Sequence, residues 1–155
     1  MAALAPIIAP ERADSADARA LIAELEQELE PHYPEASRHG YSIEKLLREA
    51  VAFFVTRHGG IPAGCGGVQL VGGEYAEIKR MYVRPGFRGQ GLGRLMLGHL
   101  AAHIRQRGIL LLRLETGIYQ SDAIGLYERF GFRRVGPFGA YRDDLLSVFY
   151  EMRIA

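Results

Sequence analysis

The chain has 155 residues, enough for one domain with a substantial core and too few for two comfortable ones. Hydrophobic residues make up 48% and charged residues 24%, ordinary values for a globular protein and against general disorder. A formal net charge of +1 gives no electrostatic case for nucleic acid or an anionic membrane, and a single cysteine, Cys65, excludes an intramolecular disulfide and a thiolate metal cluster.

Residues 1–10 are apolar but lack a basic leader, are broken by Pro6 and Pro10, and run straight into Glu11, Arg12 and Asp14. A first strand around Ile7 and Ile8 is the better reading than a signal peptide. Asp14 or Ser15 suits the cap of the helix that follows, in which Ala18, Leu21, Ile22, Leu25 and Leu29 recur at helical spacing. Pro31 and Pro34 stop it. Tyr33, Tyr41 and an amphipathic piece over residues 42–49 then form either a lid-like region or a plain surface helix.

Residues 50–56 are rich in β-formers, residues 58–64 read as a loop from their glycines and Pro62, and residues 65–71 form a second strand. Gly72-Gly73 marks a hairpin into a third strand over residues 75–83, completing an antiparallel meander. In that third strand apolar residues fall on both parities: Ile78 and Tyr82 on one, Met81 and Val83 on the other. Coverage on both faces, or a bulge that shifts the parity, produces such a pattern.

The strand leads into a loop with glycines at 89, 91 and 93. Backbone N–H groups at a helix start lack intrahelical partners and carry positive potential, and glycines leave them uncovered, so the loop is an anion site. Arg88 and Arg94 bracket it with guanidinium groups that suit phosphate oxygens. The next helix places Leu92, Met96, Leu97, Leu100 and Ile104 on one stripe and ends near Gly108. The almost continuously apolar run 109–116 then reads as a buried parallel strand reached by a helical crossover. Ser121 or Asp122 can cap a last helix ended by Gly131, and strands over residues 132–135 and 146–154 close the sheet.

Three phosphate-binding patterns compete for the loop. The spacing G-x-x-x-x-G-K-[ST] is absent. A dinucleotide fingerprint G-x-G-x-x-G starting at Gly89 or Gly91 would put its third glycine on Arg94 or Met96, and neither fits close helix–strand packing. The pattern [RQ]-x-x-G-x-[GA] is satisfied by Arg88, Gly91 and Gly93. Here the chain resembles the GCN5-related N-acetyltransferase (GNAT) superfamily, whose members hold the pyrophosphate of acetyl-CoA in this way. A second signature, A-x-x-L-Y-x-x-x-G-[FY], is matched from Ala123 to Phe132 and begins 30 residues after Gly93. Together the motifs carry the resemblance over residues 50–135.

The resemblance implies a single α/β domain over residues 1–155, with a mixed central sheet of about six to seven strands flanked by about four helices. It implies an acetyl-CoA-dependent N-acetyltransferase that acetylates a primary amine by direct attack in a ternary complex. The acceptor is a small molecule, an amino acid or a protein lysine; acidic Asp143 and Asp144 favour a cationic small molecule. The non-catalytic alternative is an acetyl-CoA-binding regulatory or interaction module, and a nicotinamide-dinucleotide protein is a third reading. Cofactor contacts are expected from Met81, Tyr82 and Val83 in a bulged strand, from Arg88, Gly89, Gln90, Gly91, Leu92, Gly93 and Arg94 in the loop, and from Gln120, where relatives often carry Asn.

Transfer from a thioester to an amine needs a neutral amine, a stabilised carbonyl oxygen and a protonated leaving thiolate. Tyr127 matches the family tyrosine that protonates the thiolate; otherwise it is a packed aromatic. Glu77, eleven residues before Arg88, stands where histone-type members carry a base; otherwise it pairs with Lys79 or a neighbour on an exposed strand. Tyr33, Phe138 and Tyr141 are expected to wall the acceptor pocket, although residues 137–144 also read as a solvated hairpin tip. His99 and His103 stand at i, i+4, but Leu100 occupies the glutamate position of H-E-x-x-H and no third ligand is apparent, so no metal is expected. No nucleic-acid or membrane partner is expected, the location reads as cytoplasmic, and the resemblance permits a homodimer.

Overall fold

A computed structural model describes residues 4–155, so the first three residues of the apolar N-terminal run lie outside the described part. Strand β1 (Ile7–Pro10) precedes helix α1 (Ala16–Leu29), and after a short loop comes helix α2 (Ile43–Arg48). Strands β2 (Ala52–His58), β3 (Ile61–Val71) and β4 (Tyr75–Val83) follow, then helix α3 (Leu92–Arg105). Strand β5 (Leu111–Gly117), helix α4 (Ser121–Phe130) and strands β6 (Arg133–Val135) and β7 (Ser147–Arg153) complete the chain. The seven strands form one sheet in the order β1-β2-β3-β4-β5-β7-β6, with β4 and β5 its parallel pair. The expected mixed sheet with four helices is the observed architecture.

Period-two alternation in β2 builds the layers. Phe53 and Val55 pack with Ala18, Leu21, Ile22 and Leu25 of α1, while Phe54 packs on the opposite face with Met96, Leu97 and Leu100 of α3. Leu21, Leu97 and Leu100 are fully buried, and burying one such side chain contributes roughly 1.5–3 kcal/mol. Ser15 caps α1, its hydroxyl accepting the Ala18 N–H at 3.1 Å, and Ser42 caps α2 in the same way.

Strand β3 starts at Ile61, four residues before the expected Cys65. The turn is confined to Gly59-Gly60, both at positive φ, and Pro62 is accommodated beside a register shift in β2 between Thr56 and Arg57. Gly64 lies in the strand, paired with Val83, and β4 explains why it is glycine: a Cβ there would lie 2.5 Å from the Tyr82 carbonyl oxygen.

The double parity of β4 comes from a bulge. Cys65 pairs with Tyr82 and Gly67 with Lys79, so Arg80 and Met81 together oppose Gly66. Arg80 takes the left-handed conformation, φ 54°, unusual for a residue with a side chain. The inserted residue sends Ile78 to the α3 face and Tyr82 to the α1 face, although the two are four apart. Beside the bulge the sheet opens. Strands β4 and β5 pair only at Ala76↔Leu112 and Glu77↔Arg113, and beyond those rungs they part.

Candidate active site

The opening between β4 and β5 leads into a cleft of about 540 Å³ that ends at the glycine loop. Pro85–Phe87 makes a short 3-10 turn, after which Gly89 and Gly91 take φ of 79° and 80°. Gly91 is the N-cap of α3 and supplies no side chain to satisfy the first amides. The first α-helical bond runs from the Leu95 N–H to the Gly91 carbonyl at 3.0 Å, leaving the N–H groups of Leu92, Gly93 and Arg94 without helical partners. No acidic residue occupies this first turn. A Cβ on Gly93 would fall 2.6 Å from Leu126 Cδ2, so glycine lets α4 close against α3 beside the loop. Arg88, Arg94 and Arg129 line the cleft against Glu28 and Asp122. Arg88 is steadied by donating to the Val83 carbonyl at 2.9 Å and to Glu28 at 3.1 Å.

Met81, Tyr82, Val83, Arg88, Gly89, Gly91, Leu92, Gly93, Arg94 and Gln120 all line the cleft. Gln90 does not; it is exposed at the outer edge of the loop. Gln120 sits at the start of α4, where its Oε1 accepts the Tyr33 hydroxyl at 3.3 Å and its amide NH₂ makes no bond among the described residues. Tyr127, 6% exposed, lines the cleft from α4. Burial, and next the nearby Glu115 carboxyl, push its phenol well above the ordinary tyrosine range, which keeps it protonated at neutral pH.

A second cavity of about 120 Å³ adjoins the first, and the two share Leu25, Met81, Gln120, Ala123 and Tyr127. Its other walls include Tyr33, Arg38, His39, Arg80 and Glu115. Tyr33 lines this cavity, packed over Gly117, where a Cβ would collide with its ring. Glu115 is the one carboxylate of β5, at the stretch where β4 has already departed. It accepts the Ser147 hydroxyl at 2.8 Å, and burial raises its pKa above the ordinary carboxylate range.

Three expectations are corrected. Glu77, expected as the base or as an exposed strand residue paired with Lys79 or a neighbour, has the Lys79 partner but is 6% exposed, and it lines neither cavity. It occupies the last paired rung of β4, where Lys79 lies at 2.8 Å and the Tyr141 hydroxyl donates to it at 2.5 Å. Phe138 and Tyr141, expected as pocket walls, line neither cavity. They pack edge-on with Tyr75 and Phe149 in a separate aromatic cluster behind Glu77. Asp144 does not offer charge to an acceptor: it accepts the Leu146 N–H at 2.9 Å and lies 3.6 Å from His39.

The remaining candidates are structural. Burial pushes the Cys65 thiol up to about 12, far from a nucleophilic thiolate. His99 and His103 stack edge-on against Phe54, at ring distances of 4.5 and 5.3 Å, and burial lowers both pKa values. Among the described residues, no group of three or more His, Cys, Asp or Glu is placed to hold a metal ion, and no helix is long and apolar enough to cross a membrane. Sequence reasoning missed Glu115, Arg38 and Arg80. The signal for Glu115 was present, since a lone carboxylate in the apolar run 109–116 must be buried with a partner or at a site.

The chain belongs to the acetyltransferase (GNAT) family, whose model matches residues 18–132. An IAA acetyltransferase of Azospirillum brasilense is 41% identical over 132 residues, covering 84% of this chain and 86% of that protein. An uncharacterized N-acetyltransferase of Bacillus subtilis is 33% identical over 78% of this chain and 82% of its own length. Among solved structures, one from Klebsiella pneumoniae assigned as an acyl-CoA N-acyltransferase superposes with a TM-score of 0.83 at 35% identity, covering 97% of this chain and 98% of that one. A Thermoplasma acidophilum PaiA N-acetyltransferase, solved with coenzyme A, shares the fold at a TM-score of 0.75 and 20% identity, over 97% and 99% of the two chains.

Proposed function

We propose that this chain uses acetyl-CoA to acetylate a primary amine by direct attack in a ternary complex. The observation that carries the reading is the meeting of two cavities at Tyr127: an anion-binding cleft on one side and a smaller chamber with a buried carboxyl on the other. The name of the Azospirillum relative supports acetyl as the group transferred.

Bound acetyl-CoA supplies the thioester that is attacked. The free amides of Leu92, Gly93 and Arg94, with the Arg88 and Arg94 side chains, suit its phosphates, and the Gln120 amide suits an amide of its arm. The bulge leaves backbone groups of β4 facing the opening instead of β5, and these can bond the arm and polarise a carbonyl. Tyr127 holds a proton at the junction, where a leaving thiolate requires one. Glu115 takes the place assigned to Glu77: its carboxylate can accept the ammonium proton of the acceptor, directly or through water, and its raised pKa brings it closer to the proton it must take.

Calorimetric titration with acetyl-CoA, run beside NAD, tests the cofactor assignment, with micromolar acetyl-CoA binding and no NAD binding as the expected result. Acetyl-CoA-dependent thiol release with a panel of primary amines then tests turnover. Failure to bind acetyl-CoA, or binding with no turnover on any amine, would remove the enzymatic reading.

A further inference from the structure

The cationic groups around the second cavity are not equally well paired. Lys79 is paired with Glu77, and His39 with Asp144. Two guanidinium groups, Arg38 and Arg80, line the cavity and share a single carboxylate, Glu26. Arg80 is well satisfied: its Nε donates to the Tyr41 carbonyl at 2.9 Å, its Nη2 pairs with Glu26, and Gly40 leaves room for its head. Arg38 is not. It reaches Glu26 only at 3.6 Å, and its Nε is buried with no hydrogen-bond partner among the described residues. An arginine cannot shed its proton, so a buried guanidinium N–H without a partner is unfavourable until an acceptor atom arrives. Among the described residues, Glu115 on β5 is the one carboxyl in the wall.

We propose that Arg38, supported by Arg80, binds a carboxylate carried by the acceptor, so that the acceptor is an amino carboxylic acid. Its amine lies toward Glu115 and Tyr127 and its carboxylate toward the two arginines. The planar fork of a guanidinium matches a carboxylate in a two-point contact, which a neutral amide or an unsubstituted amine cannot reproduce. Among the acceptors that the resemblance allows, this favours the amino acid over the cationic small molecule suggested by Asp143 and Asp144. It deepens the acetyltransferase reading by naming the substrate class, and it rests on the second cavity being the acceptor site.

The test separates binding from turnover. The protein is saturated with coenzyme A, which cannot react, and titrated calorimetrically with α-, β- and γ-amino acids and with the primary amide of each. At least one amino acid is expected to bind roughly 10- to 100-fold more tightly than its amide, the range for a hydrogen bond to a charged group. In Arg38→Gln that preference collapses while coenzyme A affinity is retained; Arg38→Lys restores part of it. Equal or better binding of the amides, or binding of no amino acid in the panel, overturns the proposal. A bound amino acid that is not acetylated when acetyl-CoA replaces coenzyme A leaves the anion site standing and counts against the enzymatic reading instead.

Discussion

The Tyr33 hydroxyl accepts the backbone N–H of Tyr119 at 2.9 Å and donates to the Gln120 side chain at 3.3 Å. One phenol therefore ties the loop after α1 to the turn that starts α4, across 86 positions of sequence. Tyr33→Phe keeps the ring over Gly117 and deletes both bonds. The turn then loses its fixed position, and the KM for acetyl-CoA should rise about three- to tenfold, about 1 kcal/mol for a lost neutral hydrogen bond. A KM unchanged within error would show that the turn is held by packing alone.

Tyr127→Phe removes the proton at the junction and leaves the ring in its buried place. Turnover should fall about 10²-fold or more, the usual size of general acid catalysis, with acetyl-CoA affinity preserved by calorimetry. Full activity would assign the leaving-group proton to another donor.

Glu115 couples activity and stability with opposite signs. Its pKa is raised in the folded chain, so its favourable contribution to stability is present below the ordinary carboxylate pKa and is lost as pH rises through the folded value. Glu115→Gln should therefore melt at the same or a higher temperature than the parent at pH 7 to 8, and be nearly inactive there. In the parent, the acidic limb of kcat/KM should lie above the ordinary carboxylate range and should disappear in the residual activity of the variant. A clear loss of melting temperature in the variant would count against this assignment.

Gly91→Ala isolates the backbone demand of the phosphate loop. A Cβ there meets nothing within 4 Å, so the cost comes from φ of 80° and not from a clash. The ligand-free protein should lose about 1–2 kcal/mol, and Gly91→Asn less, because asparagine tolerates the left-handed region better. Denaturant midpoints of the three proteins check the order.

The parts of the molecule legible in the sequence are those fixed locally. The Gly89, Gly91 and Gly93 loop, the α3 stripe and the parallel strand after it announce themselves through turn chemistry and periodicity. The mixed parity of β4 left two causes open, coverage on both faces or a bulge, and the bulge is the one observed. Glu77 was misassigned because its strand was right and its rung was not. It lies on the last paired rung, where neighbours close over it, whereas the site lies where the pairing stops. The two strands separate beside the bulge, and no spacing along one strand reports where. Arg38 and Arg80 were missed for the same reason: their significance is a charge balance with Glu26 across three segments distant in sequence. Phe138 and Tyr141 are aromatic residues in a loop, and only the packed structure separates a pocket wall from a satellite core.

The two rungs between β4 and β5 are the whole of the backbone seam joining a four-stranded half of the sheet to a three-stranded half. A ligand whose amides bond the free edge of β4 would act as a missing strand segment, carrying the ladder on where the polypeptide abandons it. Its binding energy then holds the halves together as well as presenting a reactive group, so occupancy should slow amide exchange along both lips of the opening. A cosubstrate bound in this way would be structural material that is released and replaced at every cycle.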